Sequence, residues 1–221
     1  MAGSQTLSLG LDEPARDAAS VTLGPGAVLL TAFVREEAAA LLAAINAICR
    51  HSPLRHMETP GGWRMSVAMS NCGEAGWVSD RSGYRYDSID PDTGTTWPLM
   101  PPRFTTLAGC AAAAAGYTGF FPDACLINRY EPGAHMSLHQ DRDERDKSAP
   151  IVSVSLGLPA TFLWGGHKRA ERPVRVPLLH GDVVVWGGVD RLRFHGVQAL
   201  AAGTHPLTGA VRYNLTFRKA R

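Results

Sequence analysis

Short segments that alternate apolar and polar residues, separated by glycine and proline, dominate the chain after residue 120. They occupy residues 125–130, 151–158, 161–164, 183–186 and 212–218. Short strands at such close spacing predict an antiparallel sandwich or barrel. Two earlier stretches rich in alanine and leucine, at residues 31–48 and 103–117, predict helices that flank the strands, and Thr31 would cap the first helix.

The segment at residues 212–218 has two different faces, because side chains two residues apart on a strand point the same way. Its apolar face holds Tyr213, Leu215 and Phe217. Its polar face holds Arg212, Asn214, Thr216 and Arg218. If the apolar face meets the helices, both arginines enter the barrel and need anionic partners, such as the carboxylates of a small ligand. An edge strand with its polar face in water explains this strand equally well.

His139 and Asp141 are one residue apart, so on an extended chain both side chains can turn toward one point. The best candidate for a third ligand is His195, from a distant part of the chain. Two histidines and one carboxylate form the facial triad that holds non-haem Fe(II) and leaves coordination positions open. Because a His-x-Asp pair alone is common by chance, this hypothesis depends on the rest of the sequence.

Composition places the chain among ordinary globular proteins, with 45% hydrophobic residues in 221 and a net charge of +2. The cysteines form no Cys-x-x-Cys pair, which argues against a zinc ribbon or disulfide framework and predicts small buried residues in a reducing compartment. We find no signal peptide or membrane-spanning stretch and expect a cytoplasmic protein. The polar composition of residues 1–25, with recurrent glycine and proline, predicts a flexible N-terminal arm.

Charge is distributed unevenly along the chain. Residues 1–128 carry 8 Lys and Arg against 12 Asp and Glu, a balance of −4, whereas residues 129–221 carry 14 against 8, a balance of +6. A basic second half permits contact with nucleic acid, although many basic faces are only solvated.

Aromatic residues recur in the segment at residues 50–100, which glycine and proline break into short pieces. Exposed aromatic side chains on loops can stack on a planar ligand or a base. The alternative is that they fill a small satellite core. The residues concerned are Trp63, Trp77, Tyr84, Tyr86 and Trp97.

Five motifs in a fixed order carry a family resemblance, at residues 61–69, 126–130, 137–141, 180–188 and 212–218. Together they resemble the AlkB family of Fe(II)/2-oxoglutarate-dependent dioxygenases, which repair alkylated nucleic acids. The resemblance implies a mostly β fold with flanking helices, built on a double-stranded β-helix (jelly-roll) core. It also implies one dioxygenase domain over residues 26–221, with the core at 120–221 and a nucleotide-recognition lid at 50–100.

The resemblance assigns roles to the residues already singled out. It implies that His139, Asp141 and His195 are the catalytic iron ligands. Binding of the cosubstrate 2-oxoglutarate would fall to Arg212 and Arg218, helped by Asn128, Tyr130 and Asn214. Substrate contacts would come from Met69, Trp77, Tyr84, Tyr86, Asp143 and Arg169, with Trp77 stacking the flipped base against His139 and Asp143 facing its exocyclic amine.

The resemblance therefore predicts oxidative demethylation of N-alkylated bases such as 1-methyladenine and 3-methylcytosine. The cofactors would be Fe(II), 2-oxoglutarate and O2, and the products formaldehyde, succinate and CO2. The partner would be single-stranded DNA, with double-stranded DNA or RNA as further candidates, acted on by a monomer. Three alternatives stay open: the same chemistry on tRNA or protein, a zinc hydrolase with the same three ligands, and a metal-binding barrel without catalysis.

Overall fold

A computed structural model describes residues 17–221 of the protein. Its helices are α1 (Ala38–His51) and α2 (Pro102–Ala114). Its strands are β1 (Ala19–Gly24), β2 (Ala27–Thr31), β3 (Ala68–Gly73), β4 (Gly76–Asp80), β5 (Gly83–Asp87), β6 (Ala124–Tyr130), β7 (Met136–His139), β8 (Ile151–Gly157), β9 (Ala160–Trp164), β10 (Val174–Leu178), β11 (Val183–Trp186), β12 (His195–Val197) and β13 (Arg212–Arg218).

Two antiparallel sheets form the body of the protein. The large sheet has the order β1-β2-β11-β8-β13-β6-β3, and the small sheet has the order β10-β9-β12-β7. Side chains from both sheets meet in one buried cluster that includes Leu126, Phe162 and Trp186. This pairing of a large and a small sheet confirms the predicted mostly β, jelly-roll architecture with flanking helices.

The two helices cover the outer face of the large sheet. Leu41 and Ile45 of α1 and Phe104 of α2 pack in one cluster with Leu215 and Phe217 of β13. The polar side chains of β13 are also buried and therefore point toward the other sheet. Since β13 lies between β8 and β6, the prediction that its arginines enter the barrel is confirmed, and the edge-strand interpretation is wrong.

The first helix begins later than predicted, at Ala38. Thr31 is the last residue of β2 and caps no helix; its hydroxyl accepts from the Ala19 backbone N–H and donates to the Asp17 carbonyl. Ala32 follows with a positive φ of 53°, which turns the chain sharply out of the strand. The prediction failed because the apolar residues of β2 merge in the sequence with those of the helix.

Other segments also differ from the prediction. Residues 1–16 of the predicted arm lie outside the described residues, but Ala19–Gly24 form an edge strand rather than a flexible segment. Within residues 50–100, β3 belongs to the large sheet, and β4 and β5 form a separate hairpin. Cys72 and Cys125 are buried as expected, whereas Cys110 is exposed.

No helix within residues 17–221 is long and apolar enough to cross a membrane.

Replacing Leu215 by alanine should destabilise the protein by about 2–5 kcal/mol, because a fully buried leucine leaves a cavity between sheet and helices. Urea unfolding followed by circular dichroism measures the change. Leu99→Ala is the matched control, since Leu99 is 88% exposed. Equal losses for the two variants would contradict this account of the core.

Candidate metal centre and anion pocket

The small sheet brings together the three predicted metal ligands. His139 ends β7, His195 begins β12, and the two residues are register partners with ring centroids 4.4 Å apart. Asp141 lies just beyond the end of β7. One ligand atom from each of the three residues falls within 4.8 Å of the others. A donor set of two imidazoles and one carboxylate at this spacing fits a non-haem Fe(II) ion.

Backbone carbonyls hold both histidines in the form that can bind a metal. Nδ1 of His139 lies 2.9 Å from the Ser137 carbonyl, and Nδ1 of His195 lies 3.1 Å from the Arg193 carbonyl. Because a carbonyl oxygen only accepts, Nδ1 carries a proton, and Nε2 is the ring nitrogen that a neutral imidazole offers to a metal. Burial, with a smaller effect of His139, lowers the pKa of His195 to about 3, so this imidazole is neutral at physiological pH.

Arg218 of β13 fixes the carboxylate of Asp141. Its Nε and Nη2 donate to Oδ2 of Asp141 at 2.9 and 2.7 Å. Burial alone would raise the pKa of Asp141, but Arg218 and the two histidines outweigh burial, and the pKa lies well below its usual value. Asp141 is therefore an anion, with Oδ1 3.6 Å from Nε2 of His139.

A second buried carboxylate, Glu144, supports this arrangement and was missed by the sequence analysis. Glu144 lies 3.3 Å from Nε of Arg218, pairs with Arg191 at 3.0 Å, and accepts from the Tyr86 hydroxyl at 2.7 Å. In the sequence it stands within a run of charged residues at 141–147 that is typical of a solvated loop. The only available signal was its nearness to the metal motif.

Arg212 lies at the other end of the polar face of β13 and is only partly paired. Its Nη2 donates to the Ser155 hydroxyl at 3.0 Å, and its guanidinium lies 5.0 Å from the centre of the Tyr130 ring. Its Nε and Nη1, and Oδ1 of Asn128, are buried without a hydrogen-bond partner. Buried donors without partners are costly, so Nε and Nη1 of Arg212 fit a bound ligand with carboxylate oxygens.

Two asparagine side chains form a hydrogen-bonded network on the same face as Arg212. Nδ2 of Asn128 donates to Oδ1 of Asn214 at 3.1 Å, and Nδ2 of Asn214 donates to the Ser153 hydroxyl at 2.8 Å. All five predicted 2-oxoglutarate residues are thus buried on β6 and β13, facing the small sheet: Asn128, Tyr130, Arg212, Asn214 and Arg218.

The predicted substrate residues fall into two groups. Trp77 stacks on Tyr84, with ring centroids 5.6 Å apart, and its Nε1 donates to Asp143 at 2.9 Å. Tyr86 joins the same region through Glu144, and Met69 is buried on β3 beside Asn128. Arg169 lies apart from this cluster, on the ring of Phe194.

Comparison with known proteins assigns the family. A sequence profile described as the 2OG-Fe(II) oxygenase superfamily matches residues 26–218. The chain is 59% identical over 198 residues to the alpha-ketoglutarate-dependent dioxygenase AlkB of Escherichia coli strain K12, covering 90% of this chain and 92% of that protein. The chain belongs to the AlkB family of 2OG-Fe(II) oxygenases. The predicted resemblance is confirmed.

Two further proteins extend the comparison. The nucleic acid dioxygenase ALKBH1 of Mus musculus is 36% identical over 121 residues, which cover 55% of this chain and 31% of that protein. A solved structure of OsALKBH1 matches with a TM-score of 0.80 and 29% identity, covering 91% of this chain and all (100%) of that chain.

Family membership makes the protein a dioxygenase that requires Fe(II), 2-oxoglutarate and O2. The donor set fits the metal, since two imidazoles and an ionised carboxylate converge on one point. The unpaired donors of Arg212 fit the cosubstrate. The family match, rather than these two features, rules against the zinc hydrolase and the barrel without catalysis.

We expect Arg212→Gln to weaken 2-oxoglutarate binding by roughly 10- to 100-fold, because one or two charge-assisted hydrogen bonds are lost. Calorimetric titration of Mn(II)-loaded protein measures this affinity. Arg129→Gln is the matched control, since Arg129 lies on neighbouring β6 and pairs with the exposed Glu131. Unchanged affinity in the Arg212 variant would place the cosubstrate elsewhere.

Proposed function

We propose that the protein oxidatively demethylates N-alkylated bases, such as 1-methyladenine and 3-methylcytosine, in single-stranded DNA. RNA and double-stranded DNA are further candidate substrates. The observation that carries this proposal is the cluster of Trp77, Tyr84 and Asp143, in which stacked aromatic rings adjoin a carboxylate. A methylated base of these types is flat and cationic, and such a group favours aromatic faces and a nearby negative charge.

In this proposal His139, Asp141 and His195 hold the iron, and Arg218 keeps Asp141 ionised and oriented. Arg212 grips the far carboxylate of 2-oxoglutarate, with Asn128, Tyr130 and Asn214 arranged around it. When bound, iron with 2-oxoglutarate and O2 supplies the oxidation that removes the methyl group as formaldehyde and leaves succinate and CO2. The protein contributes orientation, by holding the methyl group near the metal ligands.

Trp77 is the residue that we expect to stack on the flipped base against His139. The indole Nε1 of Trp77 donates a hydrogen bond to Asp143. When a base enters, we expect its exocyclic amine to replace Nε1 as the donor to this carboxylate. Tyr84 is 48% exposed and is available to the adjoining nucleic-acid backbone, as is Arg169 on its loop. Met69 and Tyr86 would line the inner wall of the pocket that receives the base.

The name of one relative, nucleic acid dioxygenase, supports nucleic acid over protein as the substrate. The exposed ring of Tyr84 next to Trp77 supports a base rather than a peptide, because successive bases can stack on neighbouring rings. We further propose that the protein is a cytoplasmic monomer acting in DNA repair. Its free cysteines suit a reducing compartment.

Incubating the protein with Fe(II), 2-oxoglutarate, O2 and a single-stranded oligonucleotide carrying 1-methyladenine should remove one methylene unit, measured by mass spectrometry. Asp141→Ala should abolish the reaction, because it removes a metal ligand. Succinate formation without a change in the oligonucleotide would move the substrate elsewhere, to tRNA or protein. Each assay needs a check by circular dichroism that the variant is folded, since Asp141 also pairs with buried Arg218.

Trp77→Ala should raise KM for the methylated oligonucleotide by about 10-fold or more, because base–aromatic stacking contributes about 1–3 kcal/mol. Steady-state demethylation at saturating 2-oxoglutarate measures this change. Trp63→Ala is the matched control, as Trp63 lies in the same segment and is 78% exposed. A similar rise for both variants would argue against stacking at Trp77.

A further inference from the structure

An open groove of about 580 Å³ lies on the small sheet, outside the residues discussed so far. It is lined by Leu163, Arg172, Pro173, Arg175 and Gln198. Arg172 and Arg175 are exposed, so their guanidinium groups are available to a ligand in solvent. The groove therefore combines a short apolar floor with two cations.

The strand register fixes where this groove lies. Arg175 of β10 pairs with Leu163 of β9, and Leu163 pairs with Gly196 of β12. Neighbouring Phe162 and Trp164 are buried between the sheets, so Leu163 points the opposite way. The groove is thus on the outer face of the small sheet. Its floor residue Leu163 lies beside Gly196, which directly follows His195 in β12.

Neither Arg172 nor Arg175 is paired with a carboxylate of the described residues. Among residues 17–221 no ion pair involves Arg172 or Arg175. The nearest acid in the sequence, Glu171, is used within its own loop, where it accepts from the Lys168 backbone N–H at 2.8 Å. Residues 167–175 hold two more cations, Lys168 and Arg169, and only this one acid. The surface is therefore strongly positive.

The loop at residues 165–173 joins this groove to the metal centre. Gly165 donates to the Phe194 carbonyl at 2.8 Å, and Phe194 donates back to Gly166 at 2.9 Å. Phe194 immediately precedes His195. Arg169, a predicted substrate contact, lies on the Phe194 ring. A basic path thus runs from beside the candidate active site, along the loop, to Arg172 and Arg175.

We propose that this groove binds the phosphodiester backbone of the substrate strand, beyond the nucleotide that enters the metal site. The inference rests on the proposed function and extends it to a second contact region. Arginine recognises phosphate through paired N–H donors, and successive phosphates match a linear series of cations. An open, solvent-exposed groove suits a long polyanion better than a small metabolite, which pockets enclose.

The test compares Arg172→Gln/Arg175→Gln with wild type on two substrates, a methylated trinucleotide and a methylated single strand of about 15 nucleotides. For the long strand, fluorescence anisotropy should show affinity on the order of tenfold weaker. The slope of log K against log salt should be smaller by about 1.4, corresponding to two phosphate contacts. Turnover of the trinucleotide should stay unchanged, because it does not reach the groove.

Arg50→Gln/Arg103→Gln is the control, since it removes the same charge from exposed positions on α1 and α2, across the large sheet. It should leave the salt slope at the wild-type value. An unchanged slope in the groove variant, or equal weakening of both substrates, would overturn the proposal. If the long strand binds through the groove but neither oligonucleotide is demethylated, the groove stands and the proposed demethylation fails.

Discussion

The buried pairing of Arg218 with Asp141 is the interaction on which the site depends. The two candidate histidine ligands belong to the small sheet and Asp141 lies just beyond the end of β7, whereas Arg218 belongs to the large sheet. This ion pair therefore ties the two sheets together at the candidate metal centre. With Glu144 and Arg191, this pair forms a buried set of two carboxylates and two guanidiniums. A buried charge without its partner is strongly destabilising. The equal number of buried carboxylates and guanidiniums therefore allows Asp141 to remain ionised in the interior.

The two arginines on the polar face of β13 therefore differ in their pairing. At one end Nε and Nη2 of Arg218 bond to carboxylates, and at the other Arg212 keeps buried donors without partners. The difference follows from their neighbours, since Arg212 faces the Tyr130 ring and the Ser155 hydroxyl rather than an acid. One strand thus supplies both a buried ion pair and a guanidinium with donors suited to an anion.

Much of the fold could be predicted from the sequence because β6, β8, β11 and β13 alternate clearly or are continuously apolar. Strands β7 and β12 have only four and three residues, too few for a period to show, and their neighbours determine their conformation. The three candidate metal ligands were predicted from residue type and spacing, and the structure brings them together. Glu144 and Arg191 were missed because burial of a charged residue depends on tertiary partners that no local pattern encodes.

The position of β13 has a consequence for how the protein is made. This strand lies in the interior of the large sheet between β8 and β6, yet it is the last strand in the chain. Until residues 212–218 have left the ribosome, β6 and β8 lack their shared partner, and Asp141 has no guanidinium beside it. The guanidinium that orients Asp141 therefore joins the candidate iron site only after residues 212–218 are available, so this part of the site forms late in folding.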